Sequence, residues 1–135
     1  MSGNLFAEIF KAERDTQSAV MFEQRDITYR ELRDLTIATA ERLNALNIHP
    51  GERVAILLND SPEFIASFVA LISLGAIAVP INMALRKSEQ LTILKDCGAR
   101  MAIFFIRPHS TPGYASISRR KSTFTNWCDL LHIPP

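Results

Sequence analysis

The sequence predicts an α/β fold: a partial doubly wound parallel sheet flanked by helices, followed by an irregular C-terminal tail. Three apolar runs of strand length, "VAILL", "AIAV" and "RMAIFF", alternate with segments whose apolar residues recur at helical spacing. Turn signals such as Pro50-Gly51 and Gly98 separate the segments. Continuous apolar strands alternating with helices are typical of parallel sheets that are covered on both faces.

The first part of this pattern is a strand over 18–23, a turn at "QRD" and a long helix. Thr28 and Glu31 have the spacing of a capping box, in which each side chain binds the other residue's backbone amide. We expect the helix to run to about Leu46, because its apolar residues form one stripe with charged residues outside it.

A second strand, 54–58, leads into a helix that begins at Pro62. Ser61 is a favourable N-cap, Pro62 suits the first helical position, and Glu63 faces the positive end of the helix dipole. No Asp, Glu, Lys or Arg occurs from 64 to 85, a run long enough to raise the question of a membrane span. Gly75 is placed as a helix C-cap and Pro80 as a strand end, which leaves a helix shorter than the ~20 residues that a span requires. We therefore predict a buried helix, a turn and a strand.

The last predicted helix is capped by Ser88, runs through about Cys97 and ends at Gly98 before the strand "RMAIFF". The predicted order is thus β, α, β, α, β, α, β, as in a doubly wound sheet.

Composition excludes several classes of protein. The net charge of +1 gives no sign of a nucleic-acid surface. Cys97 and Cys128 form no disulfide framework and have no metal-site spacing, which indicates free thiols in a reducing compartment. The N-terminus lacks the pattern of a signal peptide. We expect a cytoplasmic protein with no membrane span and no nucleic-acid partner.

The chain changes character after Ile106. Residues 107–135 hold four basic residues and one acidic residue, Asp129, a net charge of +3, whereas residues 1–106 carry 11 basic and 13 acidic residues, a net charge of −2. We expect 107–135 to be irregular or disordered. The abrupt loss of acidic residues favours a change of reading frame as the origin of this tail. Three other origins stay open: a premature stop, an alternative gene model and a genuine short product.

Few side chains are candidates for a site. Asn59, Asp60 and Ser61, with Glu63, follow a buried strand, where doubly wound sheets bind ligands, but a helix-capping turn explains them more simply. His49 is expected in an exposed turn. Three tail residues, His109, Cys128 and His132, lack regular ligand spacing. The short basic run Arg119-Arg120-Lys121 is interpreted as a solvated patch.

Two motifs resemble those of the adenylate-forming enzymes, which include acyl-CoA synthetases, aryl-CoA ligases, luciferases and nonribosomal-peptide adenylation domains. "ITYREL" at 27–32 is similar to the first core motif of that family, and "LISLGAIAVPIN" at 71–82 is similar to the second. The resemblance runs from about Leu5 to Phe105. It implies an N-terminal part of an AMP-dependent synthetase/ligase domain over 1–106 and a tail over 107–135 that is unlike the family.

The resemblance also implies which residues are structural. In the family these two motifs shape a helix start, a turn and a strand end, which agrees with our interpretation of Thr28, Glu31, Gly75 and Pro80. The phosphate loop and the catalytic Lys, Asp and Glu segments of the family lie downstream, and no such loop is present here. We therefore expect no catalytic, cofactor-binding or metal-binding residue, and no cofactor bound by this fragment, although the full-length family uses ATP, Mg²⁺ and coenzyme A.

The sequence therefore predicts a truncated acid–CoA ligase, from an adenylate-forming family that includes enzymes of fatty acid metabolism, and inactive as this chain. Whether the chain is an enzyme at all stays open. One alternative is a non-catalytic partner or complementing lobe that associates with another ligase chain through exposed apolar surface. A third is a small nucleotide-binding flavodoxin-like domain, although "MFEQRD" offers no phosphate-binding glycine after the first strand.

Overall fold

The computed structural model of the chain describes residues 4–106 and 114–119. A short 3₁₀ turn follows the first helix at Ala12–Arg14. The helices and strands are α1 Leu5–Ile9, β1 Ser18–Phe22, β2 Arg25–Thr28, α2 Tyr29–Ala45, β3 Arg53–Leu57, α3 Pro62–Ser73, β4 Ile77–Pro80, α4 Lys87–Asp96, β5 Met101–Ile106 and β6 Tyr114–Arg119.

The main sheet has the strand order β4-β3-β5-β6. β3 pairs in parallel with β4 and β5, and β6 pairs antiparallel with β5. The predicted parallel sheet flanked by helices is confirmed. β6 lies inside the segment that we expected to be irregular, and the rest of that segment, 107–113 and 120–135, falls outside the described residues.

Each face of the sheet has its own apolar core. Val54, Ile56 and Leu58 pack with residues of α2 and α3, including Leu43 and Leu71. The alternate residues of the same strand, Ala55 and Leu57, pack with Leu94 of α4 on the other face. Because successive side chains of a strand point to opposite faces, β3 contributes to both cores, and β5 does the same through Met101 and Ile103 on one face and Ala102 on the other. α3 and α4 therefore lie on opposite faces, as the doubly wound class requires.

The first predicted strand was placed in the wrong sheet. β1 pairs antiparallel with β2 in a separate two-stranded sheet, and the loop between them is only Glu23 and Gln24. Both residues have positive φ, +49° and +63°, the backbone of a hairpin turn that matches strand twist. Two consecutive strands can pair in parallel only through a long crossover connection, which a loop of two residues cannot provide. β1 and β2 can therefore pair only antiparallel.

The hairpin packs on the body of the fold through a third apolar cluster. Ile27 of β2 and Phe10, which follows α1, contact Leu32 of α2 and Ala66 and Val69 of α3. The N-terminal segment is thereby held against α2 and α3.

Backbone hydrogen bonds reinforce this attachment at the start of α2. The amide of Tyr29 donates to the carbonyl of Gln17 at 3.0 Å, and that of Arg30 donates to the carbonyl of Asp15 at 3.2 Å. The Asp15 carboxylate also accepts from Arg33 at 2.6 Å and from Arg30 at 3.4 Å. Two of the amides that a helix start leaves without intrahelical partners are thus bound by the preceding chain.

Two predicted helix ends are confirmed and one helix start is wrong. α2 ends at the C-cap Leu46, and Gly75 follows the C-cap of α3 with φ +75°. α4, however, is capped by Arg86, two residues before the predicted cap Ser88. The Glu89 carboxylate accepts the Arg86 amide at 2.9 Å and its guanidinium at 3.2 Å, which fixes the earlier start.

The turn after α3 is a Schellman motif. The amide of Ala76 donates to the carbonyl of Leu71, and that of Gly75 to the carbonyl of Ile72, both at 3.0 Å. The carbonyl of Gly75 accepts the amide of Gly51 at 2.8 Å, which ties this turn to the turn before β3. A Cβ on residue 75 would lie 3.4 Å from the Cβ of Pro50.

We expect Gly75→Ala and Gly51→Ala to destabilise the fold by similar amounts. Both glycines have positive φ, +75° and +80°, so alanine introduces backbone strain at either position, on the order of 1–2 kcal/mol. The new methyl group would lie at van der Waals distance from Pro50 at residue 75, 3.4 Å, and in open space at residue 51, so neither change adds a steric clash. Urea unfolding of both variants measures the two losses. A much larger loss for Gly75→Ala would show that its contact with Pro50 is strained and would contradict the expectation.

Candidate functional site: the carboxyl edge of the sheet

The place where this topology would bind a ligand is the carboxyl edge between β3 and β5. The chain leaves β3 through α3 to reach β4 on one side and then returns through α4 to β5 on the other side. In doubly wound sheets, ligands bind in the crevice where the connections diverge in this way. Asn59, Asp60 and Ser61 follow β3 at this edge, directly before α3.

Ser61 is engaged in capping α3. Its Oγ accepts the amide of Phe64 at 3.2 Å and donates to the carbonyl of Asn59 at 3.0 Å. Its carbonyl accepts the amides of Phe64 and Ile65 at 3.1 and 3.3 Å. Pro62, the next residue, has no N–H to offer. The first turn of α3 is therefore largely closed to an anion, and the interpretation of Ser61 as a helix cap is confirmed.

The other candidates at this edge are surface residues. Asn59 and Asp60 are exposed, and Glu63 is half-buried in the first turn of α3. Among residues 4–106 and 114–119, no three His, Cys, Asp or Glu side chains are grouped closely enough to hold a metal ion.

The remaining predicted residues are scattered. His49 is exposed, as expected, in the turn before β3, and Cys97 is half-buried after α4, so both lie at the amino edge of the sheet. Cys128, His109, His132, Arg120 and Lys121 lie outside the described residues. Arg119 is the last residue of β6. The structure brings none of the described candidates together.

The capping box at the start of α2 is confirmed. The amide of Glu31 donates to Thr28 Oγ1 at 3.2 Å, and the amide of Thr28 donates to Glu31 Oε2 at 2.8 Å. Arg25 also donates to Glu31 Oε1, at 2.6 Å. The amides of Tyr29 and Arg30 donate to carbonyls of the preceding chain. The first three amides of α2 therefore all have acceptors within the chain.

The glutamates with shifted pKa values have local partners. The backbone N–H of Thr28, and then Arg25, hold the pKa of Glu31 below its ordinary value of 4.5. Hydrogen bonds from Lys11 and Arg86 similarly lower the pKa values of Glu8 and Glu89. All three carboxylates are on the surface, in the first turns of helices or beside them, so their shifts reflect capping and exposed ion pairs.

One feature of the interior was not expected from the sequence. The hydroxyl of Ser67, in the middle of α3, is buried, and it is the one buried side-chain polar atom of the described residues with no hydrogen-bond partner. The buried Thr36 of α2 instead donates its hydroxyl to the carbonyl of Leu32 at 2.7 Å. Ser67 lies within a helix, away from the edge at Ser61, and adds no group to that edge.

Comparison with known proteins identifies the family. The family model described as AMP-binding enzyme matches residues 8–126. This chain belongs to the AMP-binding enzyme family. The match includes both motifs, 27–32 and 71–82, and it continues past the predicted boundary at Ile106.

Relatives of this chain include CoA ligases. It is 35% identical over 85 residues to the 3-hydroxybenzoate/4-hydroxybenzoate–CoA ligase of Thauera aromatica. The aligned residues make up 63% of this chain and 16% of that protein. It is 41% identical over 78 residues to the long-chain-fatty-acid–CoA ligase FadD13 of Mycobacterium tuberculosis, 58% of the chain and 16% of that protein. The chain thus matches about a sixth of the length of these curated relatives.

A solved structure shares the same fold. The crystal structure of the anthranilate–CoA ligase AuaEII, in complex with anthranoyl-AMP, superposes with a TM-score of 0.66 and 34% identity. The superposition covers 72% of this chain and 19% of the AuaEII chain. The chain is therefore an N-terminal fragment of the fold that this ligase has.

A change of pH tests the capping box. Because the pKa of Glu31 is lowered in the folded state, its contribution to stability is present above the unfolded value and is lost as the pH falls through the folded value. The unfolding free energy of the wild-type chain should therefore decrease as the pH drops below about 4.5, the ordinary pKa of a glutamate. We expect this decrease to be smaller in the Glu31→Gln variant. Urea unfolding between pH 3 and pH 7 measures this. Glu41→Gln, on the same helix, is the control, and an equal effect of both changes would contradict the assignment.

Replacing Ser61 tests whether it is a cap. We expect Ser61→Ala to lower the unfolding free energy by about 1 kcal/mol, because the amide of Phe64 loses its acceptor. Asn59→Ala and Asp60→Ala, at exposed neighbouring positions, are expected to change it by less than about 0.5 kcal/mol. Chemical denaturation compares the three variants. If Ser61→Ala had no effect on stability, the capping role would be wrong and a ligand-binding role would regain support.

Proposed function

We propose that this chain forms the N-terminal lobe of an AMP-forming carboxylic acid–CoA ligase and that its 135 residues alone do not catalyse adenylation. The proposal that the chain alone is inactive is supported by the backbone amides at the helix starts, most of which already have acceptors. The hydroxyl and carbonyl of Ser61 are bound to amides of α3, and Thr28, Asp15 and Gln17 bind those of α2. At these two helix starts, most of the backbone amides that could hold an ATP phosphate are thus bound within the chain.

The proposed reaction of the complete ligase has two steps. The substrate carboxylate attacks the α-phosphate of ATP, which gives an acyl-adenylate and releases pyrophosphate. The thiol of coenzyme A then attacks the acyl carbon, the acyl–phosphate bond breaks, and AMP leaves. Mg²⁺ would balance the phosphate charge in the first step. The described residues do not fit this group, because they contain no acidic cluster suited to the metal.

The substrate is proposed only as a carboxylic acid. The hydroxybenzoate ligase and the anthranilate ligase, named for aromatic acids, favour an aromatic acid, and FadD13, named for long-chain fatty acids, favours a role in fatty acid metabolism. A cytoplasmic location is proposed because the reaction uses ATP and coenzyme A. In the described part of the chain, no helix has the length and apolar character to cross a bilayer.

The division of the chain at Ile106 stays a prediction. β6 pairs with β5 across this boundary through six residue pairs, and the family match runs on to residue 126. Both observations support a lobe that includes at least β6. Limited proteolysis would locate the boundary directly.

A second candidate function is a non-catalytic partner that completes another ligase chain. The observation that favours it is the exposure of large apolar side chains at Met21, Ile77 and Met83, which are 72%, 46% and 38% exposed. Size-exclusion chromatography with a full-length relative would test it, and a chain that elutes as before in the presence of the relative would contradict it.

The flavodoxin-like nucleotide-binding domain is the least supported alternative. It requires a phosphate-binding turn after the first strand of the sheet. Here the first strand of the parallel sheet, β3, is followed by the Ser61 cap and Pro62, and β1 belongs to a hairpin.

ATP–pyrophosphate exchange tests the main proposal. We expect the chain alone to show no acid-dependent exchange with a panel of aromatic and fatty acids, because the phosphate-binding and metal-binding groups are not assembled. A full-length relative such as the Thauera aromatica ligase is the positive control. Acid-dependent exchange above background by the purified 135-residue chain would contradict the proposal.

Complementation tests the identity of the lobe. We expect exchange to appear when the chain is co-expressed with a relative from which the matching N-terminal segment has been removed. The Gly75→Ala variant is the matched control, since it weakens the fold without touching any ligand-binding group. Equal exchange with the wild-type chain, with the variant and with no added chain would show that the lobe contributes nothing.

A further inference from the structure

The outer edge of β4 has the composition of a strand that could pair with another chain. β4 pairs with β3 on one side, and none of the described strands lies on its other side. Its sequence, "IAVP", contains no charge, and Ile77 is 46% exposed. Met83, shortly after the strand, is also exposed. An uncharged, apolar edge is the kind that favours edge-to-edge association.

The hydrogen bonds of β4 show which backbone groups face outward. The amide of Ile77 donates to the carbonyl of Glu52 at 2.9 Å, and the amide of Ile81 donates to the carbonyl of Ile56 at 3.0 Å. Successive residues of a strand turn their backbone groups to alternate sides. Residues 77, 79 and 81 therefore face β3, whereas Ala78 and Pro80 face away from it.

Proline has no N–H, so the outward edge offers a donor only at Ala78. We propose that Pro80 protects the outer edge of β4 from pairing with a second copy of this chain. An added strand would form hydrogen bonds with both outward residues, and at Pro80 it would meet the ring in place of a donor. Pro80 is exposed, so no packing requirement inside the fold explains an imino acid on this side. This role is separate from ending the strand and does not depend on the proposed ligase function.

Restoring the missing N–H tests the proposal. We expect Pro80→Ala in the 135-residue chain to increase self-association by roughly tenfold, the equivalent of one or two added hydrogen bonds. Sedimentation velocity over a range of concentrations measures the association. Pro80→Val is expected to associate at least as strongly. Association by the valine variant alone would show that side-chain bulk is responsible, and it would overturn the proposal.

Two controls connect the association to this edge. Pro50→Ala removes a proline that lies in a turn outside any strand, and we expect it to associate no more than the wild-type chain. Adding Ile77→Lys to Pro80→Ala places a charge on the edge and should reverse the association. Association of the double variant at the level of Pro80→Ala would place the contact elsewhere and contradict the proposal.

Amide hydrogen exchange in the wild-type chain gives a test that requires no variant. The outward amide of Ala78 should exchange rapidly at all concentrations, whereas the amide of Val79, which faces β3, should be protected. An Ala78 amide whose protection rises with concentration would show that the edge pairs despite Pro80, and the proposal would be wrong.

Discussion

The fold depends on the central position of β3. This strand is hydrogen-bonded on both sides, to β4 and to β5, and its alternate side chains supply both apolar cores. Val54, Ile56 and Leu58 form one core with α2 and α3, and Ala55 and Leu57 form the other with α4. A strand that is buried on both faces and paired on both edges can accept few polar substitutions, since any polar atom there would lack a partner.

At the starts of α2 and α3, most of the amides without an intrahelical partner are bound from within the chain. Carbonyls of Asp15 and Gln17 bind the first amides of α2, Thr28 binds the third, and Ser61 performs the same role for α3. The positive ends of these helices are therefore used to hold the N-terminal segment and the β3–α3 connection in place. A helix start that binds a phosphate needs its first amides free, and at α2 and α3 most of these amides already have acceptors.

Local signals in the sequence were enough to predict most of the helix ends and the parallel strands. The Thr28–Glu31 box, the Ser61-Pro62 start and the Gly75 turn depend on residues within one turn of each other, which a sequence displays directly. The hairpin was missed because Glu23 and Gln24 are not the residues that usually adopt positive φ in a two-residue turn. The start of α4 was misplaced because the stabilising group is the side chain of Glu89, which reaches back to a residue with no capping side chain of its own.

The candidate site shows the same division between local and distant information. That Ser61 is a cap was predictable, because the acceptor and the amides it binds are at most four residues apart. That α2 is closed to anions was not predictable, since the carbonyls of Asp15 and Gln17 reach it from more than ten residues away across the hairpin. The buried, unpartnered hydroxyl of Ser67 likewise depends on tertiary packing that the sequence does not display. Sequence patterns therefore identify the residues at the edge of such a sheet, but only the packed structure shows whether the backbone groups beside them are still free to bind a ligand.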